Sequence, residues 1–482
     1  MQANSSIAAL DAARLLGSWR GTGPGYAALA WALRSLILDG RLPLRARLPS
    51  ERDLAAALGV SRTTTTAAYD LLRGEGYVES RRGSGSRIAL PTGGSVDREL
   101  AAPSEEPGSA GSIDLTIAAL PAPGAMMEAV TGATRDLAGH LGSSGYGPVG
   151  LRSLRRAIAR HYAARGLPTD EDGIVVTSGA QHALALLLDV LAVPGDPVLV
   201  ESPSYPNAFE AMRRAGVRFV PAPMRDDGWD VEMVAARFRE AAPRIAYMIP
   251  DFQNPTGFLM EDGQRAAVVA AAERAGAHLV VDETFVQLDL EPRGSMPDPV
   301  AARDPDGRVV TVGSMSKAYW GGLRVGWIRC VPTLARRLAR ARAAVDLATP
   351  VFEQLVAEHL LRASTAVLAE RRALLLERRD ALATALRREV PTWRFTVPRG
   401  GLCLWVELDR PEADALAEAA EPEGVRIVPG PIFGVDGTLD RRVRLPYTQP
   451  PEVLGEAVRR LAAARRRLHL GARRDPAPGL IA

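Results

Sequence analysis

The sequence predicts an α/β protein of two unequal parts: a small helical domain ending in a hairpin, then a large domain built on a mostly parallel sheet covered by helices. Three observations carry this. The chain has 482 residues, more than one hydrophobic core usually serves. Residues 91–112 (PTGGSVDRELAAPSEEPGSAGS) are rich in Pro, Gly, Ser and acids and offer little to bury, as in a linker. Beyond them, apolar runs such as Gly173-Ile-Val-Val, Pro197-Val-Leu-Val and His278-Leu-Val-Val-Asp alternate with Ala/Arg-rich helical stretches. The expected division is an N-terminal extension over 1–25 with no assigned role, a basic domain over 26–90, the linker, a large domain over 113–470 and a frayed tail over 471–482. Runs near Gly401-Leu-Cys-Leu-Trp-Val-Glu-Leu and Arg442-Val-Arg-Leu suggest a smaller C-terminal α/β lobe within the large domain.

Composition narrows the function classes. No window approaches the ~18 unbroken apolar residues of a membrane span, and the N-terminus lacks a secretory signal pattern, so the chain is expected in the cytoplasm with no membrane partner. Its 2 cysteines, Cys330 and Cys403, are far apart and lack neighbours at ligand spacing; neither a disulfide framework nor a metal site is expected. The net charge is +3, but 26–90 alone holds ten Arg against six Asp and Glu, the local excess a polyanion-binding module needs. Of 59 basic side chains one is lysine, Lys317. Arginine replaces lysine in most ion-pair roles but cannot form a Schiff base, so a lone survivor points to amine chemistry.

In the basic domain, LPSERDLAAALGVSRTTTTAAYDLLRGEGYVESRRGSGSRI reads as helix, turn, helix and hairpin. Pro49 and Ser50 open a first helix with Leu54 and Leu58 on one face, Gly59 ends it, and Ser61 caps a second. Ala68, Leu71 and Leu72 are expected to face the core. Threonine is a poor helix former, so the run Thr63 to Thr66 needs a compensating use; hydroxyls at the start of a helix in the major groove supply one, with Arg62 beside them able to read guanine. A Gly-Ser-Gly tip flanked by Arg81, Arg82 and Arg87 suits close backbone approach to phosphates. The LPSER, GVSR-T and EGYV-GSG signatures, in order, closely resemble the GntR-type winged helix-turn-helix domain. The resemblance implies contacts to double-stranded operator DNA from Arg52, Ser61, Arg62, Thr63, Thr64 and the wing residues Gly83, Ser84 and Gly85.

In the large domain the needs of a pyridoxal-phosphate site can be nominated in chain order: an amine, an acid against the ring nitrogen, phosphate donors and a flat group on the ring. Ser178, Gly179, Ala180 and Gln181 follow a strand and open a helix, so their backbone N–H groups can point at a phosphate. Tyr205 is a candidate for stacking. Asn254, in NPTG, can reach the phenolic oxygen, although Asn-Pro and Thr-Gly also simply make a turn. Asp282 ends an apolar run, at the strand edge where open α/β sheets bind ligands. Lys317 lies in GSMSKAYWGGLRVGW, where Ser314, Ser316 and Arg324 are able to hold a dianionic phosphate.

The set SGAQ, NPTG, VVDE and SMSK with GGLRVGW resembles fold-type I aminotransferases over about 113–470. That resemblance implies pyridoxal 5'-phosphate bound as a Schiff base to Lys317, Asp282 on its pyridine nitrogen, Asn254 on its phenolic oxygen, and Gly179, Ala180, Ser314, Ser316 and Arg324 around its phosphate. It also implies that Arg444, in VRLPY, holds a ligand carboxylate and that Tyr146, in GYGPVG, reaches the neighbouring subunit's phosphate in a homodimer. Where the family usually has a tyrosine shortly after the aspartate, this chain reads Asp282-Glu-Thr-Phe; Thr284 offers a shorter hydroxyl and Phe285 none. A winged helix joined to such a domain is the layout of the MocR subfamily. This implies a regulator that responds to pyridoxal phosphate or a small amino compound, the alternative being a working aminotransferase with an accessory DNA-binding domain.

Overall fold

A computed structural model describes residues 6–17, 19–20, 24–81, 85–89, 111–291 and 294–472. Two separate hydrophobic cores divide them, one drawn from Ala12 to Ile88 and one from Ile113 to Ala464.

The first core is made by α1 (Ala9–Leu16), α2 (Gly25–Leu38), α3 (Glu51–Leu58) and α4 (Arg62–Gly74), with β1 (Val78–Arg81) and β2 (Gly85–Ile88) as an antiparallel hairpin. Local chemistry sets the helix ends as the sequence suggests. Ser50 accepts from the Asp53 N–H and Ser61 from the Thr64 N–H, each at 3.1 Å, and Gly59 closes α3 in the left-handed region at φ 63°. Leu29, Leu33, Ile37, Leu54, Ala68, Tyr69 and Leu72 fill the interior, and the buried Tyr69 hydroxyl donates to Pro49 O at 3.0 Å. Two expectations change. The N-terminal extension contributes α1, whose Ala12 and Leu16 join this core, and Ile7 N–H donates to Arg47 O at 2.9 Å. Leu71 is 37% exposed rather than inward, because the 3.6-residue period sets it at the flank of the face formed by Thr65, Ala68, Tyr69 and Leu72.

In the large domain, β3 (Ile113–Asp114) leads to α5 (Met126–Leu137) and α6 (Arg152–Ala164). The sheet is made of β4 (Ile174–Thr177), β5 (Pro197–Ser202), β6 (Arg218–Arg225), β7 (Gly228–Trp229), β8 (Ile245–Met248), β9 (His278–Asp282), β10 (Val309–Ser314) and β11 (Gly326–Arg329). Its eight strands run in the order β4-β11-β10-β9-β8-β5-β6-β7; the central pairings are parallel, while β11 and β7 run antiparallel to their neighbours. Ile, Val and Leu buried on both faces explain why these strands read as unbroken apolar runs. Because β11 is antiparallel to both β10 and β4, the C-terminal ends of β4, β9 and β10 share one edge, and Thr177, Asp282 and Ser314 stand there together. The helix α7 (Ala180–Leu191) starts at that edge.

The C-terminal lobe holds β12 (Cys403–Glu407), β13 (Val425–Arg426), β14 (Val428–Pro429) and β15 (Arg442–Pro446). β12, β15 and β14 form an antiparallel sheet, while β13 pairs in parallel with β3, the first strand after the linker. The helix Pro451–Ala472 closes the lobe. No helix among the described residues is long and apolar enough to cross a membrane.

Candidate cofactor site and DNA-reading surface

Lys317 sits in the turn after β10. Its Nζ donates to Ala118 O at 2.8 Å and lies 5.8 Å from the Phe285 ring centroid. Burial pushes its ammonium down to about 8, and the positive charge of Arg444 pushes the same way. A far larger share of this amine is neutral near pH 7 than in an exposed lysine, the form that condenses with an aldehyde.

Asp282 ends β9 and is held from two sides. Its Oδ2 accepts from the Tyr247 hydroxyl at 2.7 Å and its Oδ1 from the Thr284 N–H at 2.9 Å. The Thr284 hydroxyl is buried with no hydrogen-bond partner among the described residues, and Phe285 beside it is buried. The next carboxylate, Glu283, points away to Arg165 at 2.7 Å.

Between β4 and α7, Gly179 takes φ 86°, and a side-chain carbon there would stand 2.5 Å from Arg324 Nη2. Glycine is therefore needed both for the turn and for the approach of the guanidinium. Arg324 donates to Ser178 O at 3.2 Å, and Ser314 Oγ donates to Ser316 Oγ at 2.9 Å. The free N-terminal N–H groups of α7, two hydroxyls and a fixed cation thus converge on one spot, as a phosphate requires. Gln181 is less engaged: its Nε2 donates to Asn207 O at 2.8 Å while its buried Oε1 lacks a partner among the described residues.

Asn254 follows β8 in a turn fixed by its neighbours. Gln253 donates to Glu201 Oε2 at 3.1 Å and to Pro203 O at 2.7 Å, and accepts from Thr256 N–H and Oγ1. Asp251 pairs with Arg265 at 2.7 Å, both side chains fully buried. Burial pushes the Glu201 carboxyl up to about 7 despite its bonds from Trp229, Gln253 and Ile249. Asn254 Oδ1 accepts from Arg444 Nη1 at 3.5 Å. Arg444, on β15, also donates to Thr116 O, packs 5.0 Å from the Phe433 ring centroid, and has a buried Nε without a partner among the described residues. Tyr205, half-buried, accepts from Asn207 Nδ2 at 3.0 Å.

Lys317, Asp282, Asn254, Ser178, Gly179, Ser314, Ser316, Arg324 and Arg444 are thus gathered at one sheet edge and the lobe facing it. Tyr146 is not: it is 72% exposed. Sequence reasoning missed Tyr247, because only the register of β8 on β9, Tyr247 opposite Val280, brings it beside Asp282. It missed Thr116 and Ala118 because they act through carbonyls, which leave no residue-type signature. The orphaned Thr284 hydroxyl, the glycine-lined phosphate cradle and the enclosed amine fit pyridoxal 5'-phosphate. A cavity of about 350 Å³, lined by Asp39, Arg41, Arg225, Glu407 and Arg442, lies between the two cores and includes neither Lys317 nor Asp282.

On the small domain, Arg52, Ser61, Arg62 and Thr63 are exposed along α3 and α4, and Thr64 is half-buried with its hydroxyl 2.8 Å from Ser61 Oγ. The run of threonines does not act as one. Thr65 is buried and Thr66 donates to Glu51 at 2.8 Å. Gly85 starts β2 at φ 79°, with Arg47 packed under it; Gly83 and Ser84 lie outside the described residues.

Comparison with known proteins follows the same division. Residues 112–461 match the model of the aminotransferase class I and II family, and residues 26–88 that of the bacterial regulatory proteins of the gntR family. The chain is 30% identical over 441 residues to the probable rhizopine catabolism regulatory protein MocR of Rhizobium meliloti, covering 84% of this chain and 86% of the relative. It is 34% identical over 310 residues to a 2-aminoadipate transaminase of Thermus thermophilus, covering 63% of this chain and 78% of that protein. Among solved structures it resembles the α-aminoadipate aminotransferase LysN of Thermus thermophilus complexed with N-(5'-phosphopyridoxyl)-L-leucine, with TM-score 0.69 and 32% identity over 75% of this chain and 94% of that one.

Proposed function

The chain belongs to the MocR-type regulators, a gntR-family DNA-binding domain fused to an aminotransferase class I and II domain, and on that premise we propose that it is a transcription regulator working in the cytoplasm. It carries pyridoxal 5'-phosphate on Lys317 and reads double-stranded operator DNA through α4 and the wing. The observation that carries this reading is the single lysine of the sequence, enclosed beside Asp282 and Arg444 with its amine brought down to about 8.

When bound, the cofactor supplies an electrophilic aldehyde on an electron-withdrawing ring. The chain's own residues do the rest. Lys317 provides the neutral amine. Asp282, oriented by Tyr247, keeps a proton on the ring nitrogen, and Asn254 donates to the phenolic oxygen while Tyr205 covers the ring. Backbone N–H groups of Gly179, Ala180 and Gln181, with Ser178, Ser314, Ser316 and Arg324, hold the phosphate, and Thr284 offers its unpartnered hydroxyl. Arg444 takes the carboxylate of an amino compound, the effector. On the small domain Arg52, Ser61, Arg62, Thr63, Thr64 and the wing residues Gly83, Ser84 and Gly85 contact DNA.

We also propose a homodimer in which Tyr146 completes the partner's phosphate site. Met127, Leu141, Tyr146, Val345 and Leu347 are exposed apolar side chains, and Arg342 Nη1 donates to Pro148 O at 3.0 Å, which brings the segment of Val345 and Leu347 next to that of Tyr146. Catalytic turnover is the second reading, favoured by the likeness to a transaminase; Phe285, giving no hydroxyl beside Lys317, counts against it.

The test is direct. The purified chain takes up the cofactor and turns yellow, and borohydride fixes the label to the peptide containing Lys317. Lys317→Ala loses the colour and any response of DNA binding to added amino compounds. A label on another peptide, or a response that persists in Lys317→Ala, refutes the reading.

A further inference from the structure

Residues 115–121 run without regular secondary structure across the mouth of the cofactor site, and side chains hold four of their carbonyls. Arg444 Nη2 donates to Thr116 O. Thr448 Oγ1 donates to Ile117 O at 3.4 Å, Lys317 Nζ to Ala118 O at 2.8 Å and Arg371 Nη2 to Pro121 O at 2.6 Å. Arg371 is itself buried and also donates to Ala318 O and Tyr319 O, so it ties the far end of the segment to the turn of Lys317. The near end is fixed by β3 on β13, where Ile113 N–H meets Gly424 O and Leu115 N–H meets Arg426 O, each at 2.8 Å. In sequence only β3 separates this segment from the linker to the DNA-binding domain.

Two of the four tethers come from the groups that ligands claim. Condensing Lys317 with an aldehyde forms a C=N bond and releases water, leaving on the nitrogen at most one of the hydrogens it offers Ala118. A carboxylate on Arg444 draws the guanidinium into a charge-assisted pair and so weakens the bond that Nη2 gives Thr116 O. The Thr448 and Arg371 tethers have no such competitor, so Ile117 and Pro121 stay held while Thr116 and Ala118 are let go. We propose that residues 115–121 form a ligand-released strap: filling the cofactor and carboxylate sites weakens the tethers at Ala118 and Thr116, and the strap loosens between β3 and the carbonyl that Arg371 holds. The inference rests on the proposed function and names the segment of the large domain that registers occupancy of that site.

Hydrogen exchange of the full-length protein tests it in three states: stripped of cofactor, with pyridoxal 5'-phosphate, and with N-(5'-phosphopyridoxyl)-L-leucine. The peptide over 113–121 reports, through the Thr116 N–H that donates to Asp114 Oδ1 at 2.7 Å. The Thr116 amide should exchange about tenfold faster in both loaded states, the first loosening the tether at Ala118 and the second that at Thr116. Thr448→Val, which leaves the cofactor groups intact, should speed exchange in the stripped state without changing cofactor uptake. Exchange that stays slow in both loaded states, with binding established by absorbance, overturns the strap and leaves the function standing. A Thr448→Val strap as slow as the parent's overturns it as well. Failure to bind the cofactor at all overturns the function first and the strap with it.

Discussion

Lys317 differs from the arginines around it in being able to lose its proton within the physiological range. An exposed lysine, with a pKa near 10.4, is about 0.04% neutral at pH 7, whereas one at about 8 is roughly a tenth neutral. Uptake of pyridoxal phosphate by the stripped protein should therefore quicken about tenfold per pH unit from ~6 to ~7 and level off above about 8. Stopped-flow absorbance measures this. Arg444→Leu, by removing the neighbouring cation, should move the plateau to higher pH, and a wild-type rate still climbing past pH ~9 would show an ordinary amine. Composition alone pointed to this residue, because a chain with so strong a bias to arginine exposes the position where arginine fails. Ala118 and Thr116 were invisible for the opposite reason: any residue type supplies a carbonyl, and only the folded path brings theirs to the site.

At the scale of elements, α4 separates two uses of one residue type. Four consecutive threonines invite a single explanation, but the helical period assigns them different neighbours. Thr63 and Thr64 stand near the exposed N-terminus, Thr66 pairs with Glu51, and Thr65 joins Ala68, Tyr69 and Leu72 in the core. The Thr65 hydroxyl is buried without a partner among the described residues. Thr65→Val should thus raise the small domain's stability by about 1 kcal/mol and leave DNA affinity unchanged. Arg62→Ala should do the reverse, weakening specific DNA binding by about 1–3 kcal/mol with no change in melting temperature. Thermal denaturation and binding titrations on both variants check this; a Thr65→Val that loses DNA affinity would move the recognition surface. The helix caps at Ser50, Gly59 and Ser61 were readable because capping is local chemistry. The inward turn of Thr65 and the outward turn of Leu71 follow from phase, which residue types alone leave undetermined.

At the scale of the molecule, the linker and the two domains are legible because composition changes abruptly between them, but the joining of sites is not. β3 pairs with β13 across more than three hundred residues, and Arg444 reaches Thr116 from equally far along the chain. The same limit applies to assembly. Met127, Leu141 and Tyr146 are each more than 70% exposed, far more than apolar side chains of this size need be on a surface left to water. If a second copy covers them, a charge placed among them should cost the dimer more than it costs the fold, since an exposed position tolerates it in the monomer. Leu141→Asp should keep the melting transition of the separated subunit yet raise the dimer dissociation constant at least about tenfold, as sedimentation would read. Because Tyr146 is proposed to complete the partner's phosphate site, cofactor affinity should fall in step with dissociation and recover at high protein concentration. A Leu141→Asp monomer that binds pyridoxal phosphate as tightly as the parent dimer would show that each chain closes its own site, and Tyr146 would then lose its assigned role.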